Sequence, residues 1–113
     1  QTFDKVTTAT ARNERVVLVD FYADWCGPCK MLSPVLEQLT ADPTVASGSG
    51  RPLDLVTVNT DEQVALAAKF KACLPALRVS SIPTVVAFKD GQPVSQFVGA
   101  LNEPGVRRFL ASI

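Results

Sequence analysis

Val16-Val17-Leu18-Val19-Asp20-Phe21-Tyr22-Ala23-Asp24-Trp25-Cys26-Gly27-Pro28-Cys29-Lys30 is the stretch from which the rest of the chain can be read. Its first half is a nearly continuous β-prone run, the pattern of a central strand covered on both faces. Its second half sets two cysteines two residues apart at the start of a helix. Thiols so spaced point the same way and can close into a disulfide with little backbone movement. The pair therefore suits reversible disulfide exchange.

The nucleophile in that exchange is a thiolate, and a helix start favours negative charge through its unsatisfied N–H groups and its dipole. Cys26 occupies that position. Cys29, one turn further in, is expected to be the less exposed thiol. Cys26 would attack a substrate disulfide, and Cys29 would then attack the Cys26 sulfur and release reduced substrate. Gly27-Pro28 brings no positive charge to hold the thiolate, and Pro28 suits a first helical turn. Both favour a reductant over a strong oxidant. A structural zinc site is the competing reading, but such sites use about four Cys or His ligands. The chain has no histidine and only one further cysteine, Cys73. A buried, inert pair fits poorly with Trp25, Gly27 and Pro28, which suit an exposed turn.

Asp20 interrupts the apolar strand where an unpaired carboxylate is costly to bury. Desolvation should raise its pKa. Lying a few residues below the thiols, it could accept the Cys29 proton directly or through water; a strand-end aspartate bonded to backbone is the alternative. Trp25 is either a core residue or, beside Cys26, part of a contact surface. Ile82-Pro83-Thr84 opens a later strand. A cis bond there would free the preceding residue's backbone for a substrate, although the sequence alone favours trans.

With 113 residues and 47% hydrophobic content, the chain can bury one core and is too short for two ordinary domains. A single domain over residues 1–113 is expected. Eleven basic residues balance 11 acidic ones, which removes any general attraction to nucleic acid or an anionic membrane. No apolar run approaches the roughly 20 residues that span a bilayer, and the first residues lack a secretory apolar core. The chain opens on Gln1 rather than Met, which leaves leader removal and a simple boundary both open. Three cysteines with two in a tight pair do not resemble a secreted disulfide framework. A monomer in a reducing intracellular setting, cytoplasm or mitochondrial matrix, is expected.

Outward from the opening stretch, Phe3, Val6 and Thr10 suggest a helix over 3–13 capped by Thr2. Met31, Leu32, Val35, Leu36 and Leu39 mark a helix from Cys26 to Ala41, ended by Asp42-Pro43. Pro34 inside it removes a hydrogen bond at a cost of roughly 3 kcal/mol and predicts a kink. Residues 42–52, with Ser47-Gly48-Ser49-Gly50, read as flexible at the tip. Leu53–Val58 should lie parallel to the first strand after a right-handed crossover. Asp61 is expected to cap an alanine-rich helix to Lys71, followed by an irregular stretch over 72–81. Thr84–Phe88 and Val94–Val98 should pair through an Asp90-Gly91 hairpin, with Pro93 marking a sheet edge. Asn102 should cap a last helix that buries Val106, Phe109, Leu110 and Ile113.

Taken together, Val19 to Pro34, Ser81-Ile82-Pro83-Thr84, Phe88-Lys89-Asp90-Gly91 and Val98-Gly99-Ala100 closely resemble the thioredoxin family, over nearly the whole chain and in the family's order. The resemblance implies an α/β, three-layer α/β/α thioredoxin fold and a protein-disulfide reductase acting in cell redox homeostasis. No cofactor would be bound. Electrons would come from NADPH through a flavin-dependent thioredoxin reductase, and disulfide-containing proteins would be the substrates. Cys26 would be the attacking thiol, Cys29 the resolving thiol, and Asp20 the carboxylate that assists proton transfer. Pro83 would be a cis-proline facing the disulfide. Trp25, Gly27, Pro28, Ile82, Pro83 and Gly99 would form the substrate surface, and Pro34 the helix kink.

Three departures stand out. The sequence begins too late to contain the edge strand that many members place before the first helix, so a mixed four-stranded sheet is expected. Thr57 stands where many relatives carry a lysine near the buried aspartate. The segments over 42–52 and 72–81 look lengthened, and the second holds Cys73, either a small buried hydrophobe or a regulatory thiol. The alternatives to a reductase are an oxidase or isomerase, and a redox-inactive module that uses the same fold to hold a partner.

Overall fold

Val16–Tyr22 forms a strand, β1, flanked on both sides by other strands, as its unbroken apolar run requires. A computed structural model describes residues 15–65, 68 and 82–113. Among them the sheet has four strands: β1, β2 (Leu53–Asn59), β3 (Thr84–Lys89) and β4 (Gln92–Val98), in the order β2-β1-β3-β4. β2 runs parallel to β1, with Asp20 opposite Thr57. β3 is antiparallel to β1, with Asp20 opposite Val85, and β4 is antiparallel to β3. The mixed four-stranded sheet expected from the sequence is therefore present.

Two helices, α1 (Gly27–Ala41) and α2 (Glu103–Ala111), cover one face of this sheet. Because side chains alternate across a strand, Val16, Leu18 and Asp20 share that face with Leu53, Val85 and Ala87. There the apolar members meet Leu32, Leu36 and Leu39 of α1 and Val106 and Leu110 of α2, with Ile113 just beyond it. Val17, Val19, Phe21, Val58, Val86 and Phe88 form a second buried cluster from the opposite face. The helix read over 3–13 lies outside the described residues, as do the 72–81 stretch, Cys73 and most of the helix read to Lys71. Val64, Ala65 and Ala68 of that last helix are helical.

Several boundaries follow from local chemistry. The β3–β4 turn places Asp90 at φ 58° and Gly91 at φ 76°, two left-handed residues in succession as a tight hairpin of this twist needs. Asn102 caps α2 through its Oδ1, which accepts from the Gly105 N–H at 3.0 Å. Asp61 is not the cap that the sequence suggested. Asn59 Oδ1 accepts from the N–H groups of Asp61 and Glu62 at 2.9 and 3.2 Å, which closes the turn after β2, and the described helix starts only at Val64.

The largest correction concerns residues 42–52, expected to be flexible. The segment is docked. Gly48 N–H donates to the Leu110 carbonyl at 2.9 Å and Ser49 N–H to the Ile113 carbonyl at 3.1 Å, so the loop satisfies the open end of α2. Within the loop, Ser47 and Arg51 are joined by a backbone bond of 3.0 Å, and the Ser47 hydroxyl accepts from the Arg51 N–H at 3.2 Å. A Cβ at position 48 would fall 2.0 Å from the Ala111 carbonyl oxygen. Gly48 is thus chosen for close approach, which composition alone reads as flexibility.

Candidate active site

The C-terminal end of β1 delivers the chain to the first turn of α1, and local hydrogen bonds fix how it arrives. Tyr22 O accepts from the Thr60 N–H at 2.8 Å, and Ala23 O accepts from the Cys26 N–H at 3.1 Å. Cys26 is then the N-cap of α1, with extended backbone at φ −87° and ψ 106°. Its Sγ accepts from the Cys29 N–H at 3.2 Å, the place that a serine or aspartate oxygen takes in an ordinary cap. Pro28 sits in the first turn, where its missing N–H costs nothing, and no acidic residue lies in that turn. Pro34 lies within the helix, which continues to Ala41.

Cys26 and Cys29 are joined as a disulfide with their Cα atoms 5.3 Å apart. Both are buried, at 4% and 2% exposure, so the expected difference between them is slight. They pack in one small cluster with Ala23, Tyr22 and Ile82. Around them the surface is open: Gly27 and Pro28 are exposed, and Trp25 is 72% exposed, so its ring is no part of the core. The indole N–H donates to Asp61 Oδ2 at 2.8 Å, which ties the ring to the segment after β2. The Ile82–Pro83 peptide bond is cis. Pro83 O accepts from the N–H of Gly99 at 2.9 Å, and Gly99 adopts φ +96°, a conformation that disfavours any side chain. The fold thus brings Ile82 against the cysteine pair and joins Pro83 to Gly99.

Asp20 lies below this surface on the α1 side of β1 and is 1% exposed. It is not bonded to backbone as the structural alternative required. The Ser33 hydroxyl donates to Oδ2 at 3.3 Å, and Oδ1 has no hydrogen-bond partner among the described residues. Burial pushes the Asp20 carboxyl up to about 6; the Ser33 bond pulls it down, and the negative charge of Glu37 pushes it further up. Its register partners are neutral, Thr57 on β2 and Val85 on β3. Beside it an open cleft of about 230 Å³ is lined by Tyr22, Ala23, Asp24, Cys29, Lys30, Ser33, Pro34 and Glu37.

The sequence reading missed three side chains of this neighbourhood: Ser33, Glu37 and Asp61. For the first two a signal existed. Cys29, Ser33 and Glu37 are spaced by four, so a helix through them carries all three on one face. Asp61 gave no such signal, because its contact with Trp25 crosses from one strand end to another.

A family model described as thioredoxin matches residues 1–112. A thioredoxin of Staphylococcus aureus is 49% identical over 84 residues, which cover 74% of this chain and 68% of the relative. Among solved structures, a mutant thioredoxin from Halobacterium salinarum superposes with a TM-score of 0.72 at 38% identity, covering 99% of this chain and 83% of the other. Thioredoxin from Fasciola hepatica gives a TM-score of 0.71 at 30% identity, over 96% and 91% of the two chains. With the Cys26–Cys29 pair intact at the start of α1, this chain belongs to the thioredoxin family of thiol–disulfide oxidoreductases.

Proposed function

We propose that the chain reduces protein disulfides with Cys26 as attacking thiol, Cys29 as resolving thiol and Asp20 as proton acceptor. The observation that carries the reading is the Cys26 cap, whose sulfur receives the Cys29 N–H at the positive end of α1. In the dithiol form, the same field and donor stabilise a Cys26 thiolate.

The thiolate attacks one sulfur of a substrate disulfide, forming a Cys26–substrate bond and expelling the other sulfur as a thiolate. Cys29 then loses its proton to Asp20 and attacks Cys26 Sγ. The mixed disulfide breaks, the second substrate sulfur leaves and takes up a proton, and the protein ends two electrons poorer, with Cys26 bonded to Cys29. Asp20 suits the proton transfer because its value near 6 lies close to neutral pH and Oδ1 is open to accept. The exposed ring of Trp25, Gly27-Pro28, and Ile82, Pro83 and Gly99 beside the pair supply a shallow surface for an extended substrate segment.

Recharging the pair needs a two-electron donor, and NADPH through a flavin-dependent thioredoxin reductase is the source that the family relationship supports. No described helix is long and apolar enough to cross a membrane. A reducing cytoplasm is the setting in which this chemistry turns over. Insulin reduction with NADPH and a thioredoxin reductase tests the assignment: Cys26→Ser and Cys29→Ser are each expected to abolish turnover, and Cys29→Ser to accumulate mixed disulfides. Equal activity in all three proteins would overturn it.

A further inference from the structure

We propose that Ser33 is a positioning residue for Asp20: its hydroxyl holds Oδ2 against α1 and so leaves Oδ1 as the carboxylate oxygen that takes the proton. This rests on the reading of Asp20 as proton acceptor for Cys29.

Asp20 is short of partners. A buried carboxylate has room for about four hydrogen bonds, yet Asp20, at 1% exposure, receives one from the described residues, from Ser33. Oδ1 receives none. Neither neighbouring strand can supply a charge at this register, since Thr57 and Val85 are the partners. What acts on Asp20 comes from α1, where Cys29, Ser33 and Glu37 follow one another at intervals of four along one face and line one cleft. Tyr22 and the exposed Asp24 and Lys30 complete the titratable groups of that cleft.

A hydroxyl is suited to the task in a way that a fixed charge is not. It donates to Oδ2 of the ionised carboxylate and, once Oδ1 carries the proton, still donates to Oδ2 as the carbonyl oxygen of the acid, a weaker bond. Ser33 can therefore follow Asp20 through both protonation states without moving the helix. Glu37, one turn further on, works in the opposite direction because its charge opposes ionisation of Asp20. The two side chains thus set the balance from one helical face.

The test is the titration of the Asp20 carboxyl carbon by NMR in the reduced protein, with the pH profile of the resolving step followed alongside. Ser33→Ala is expected to move the Asp20 titration to higher pH, and the resolving-step profile with it. Ser33→Thr, which keeps the hydroxyl, is expected to restore both. Glu37→Gln is expected to move the titration to lower pH. A general loosening of α1 would not produce shifts of opposite sign from neighbouring positions. An unmoved Asp20 titration in Ser33→Ala, or a threonine variant that behaves like alanine, overturns the proposal. Asp20→Asn separates the two readings: if the resolving step keeps its pH profile in that variant, the proton-acceptor role fails, while the NMR titrations still decide what Ser33 does.

Discussion

The two ends of β1 treat polar groups in opposite ways. At its N-terminal end, Val16 N–H donates to the Pro52 carbonyl at 3.0 Å, Arg15 pairs with Asp54, and the loop before Pro52 satisfies carbonyls at the end of α2. At its C-terminal end, a buried carboxylate has, among the described residues, one hydrogen bond and an open oxygen, and the N-cap is a sulfur. One end spends its hydrogen bonds on holding the fold, while the other leaves them incomplete where the proposed mechanism moves protons and electrons. The lesson is that stability and reactivity are separated along a single strand about 20 Å long.

Breaking this contrast at the reactive end should give the largest change. Asp20 titrates near 6 in the folded chain and near 3.8 when unfolded, so the unfolded state ionises first. Stability is then greatest below about pH 4, falls as pH rises toward about 6, and is level above that, a loss of about 3 kcal/mol from this one group. Asp20→Asn is expected to abolish that slope in urea unfolding measured from about pH 4 to 8. An identical slope in parent and variant would show that the open oxygen carries no such cost.

At the other end, Gly48→Ala forces a Cβ against the Ala111 carbonyl. The loop must lift from α2 and lose its two backbone bonds there, for a destabilisation of roughly 1–3 kcal/mol. Insulin reduction at room temperature should stay at the parent level, because the change lies at the far end of the strand. A variant as stable as the parent would mean that the docking contributes little. The smallest effect is expected from Asn102→Ala, which removes the cap of α2 and should lower the denaturant midpoint by an amount equivalent to about 1 kcal/mol, again with activity unchanged.

How much of this was legible in the sequence depended on whether the signal was local. β1 came out to the residue because its apolar run is continuous, and α1 to within one residue because its apolar stripe and its Pro28 and Asp42 ends are periodic and chemical cues. The cysteine pair and Asp20 stood out for the same reason, a short motif and a charge in an apolar strand. The docked loop did not, since Ser-Gly-Ser-Gly has the composition of a linker, and the carbonyls that dock it, those of Leu110 and Ile113, lie far along the sequence. Nor did the Trp25–Asp61 bond, which depends on how two strand ends meet. Ser33 was within reach of helical spacing, but only once Asp20 was known to face α1.

The edge of the sheet bears on how the molecule behaves in a crowded solution. Between Ala87 and Phe88 the pairing register skips Val94, so that β4 carries one unpaired residue directly after Pro93. An outer strand whose second residue lacks a donor and which then bulges offers a poor template to a passing extended chain. On the proposed function, a protein that holds extended segments of others at one end of its sheet is thereby discouraged from zipping onto them along β4, and from pairing with its own copies at that edge.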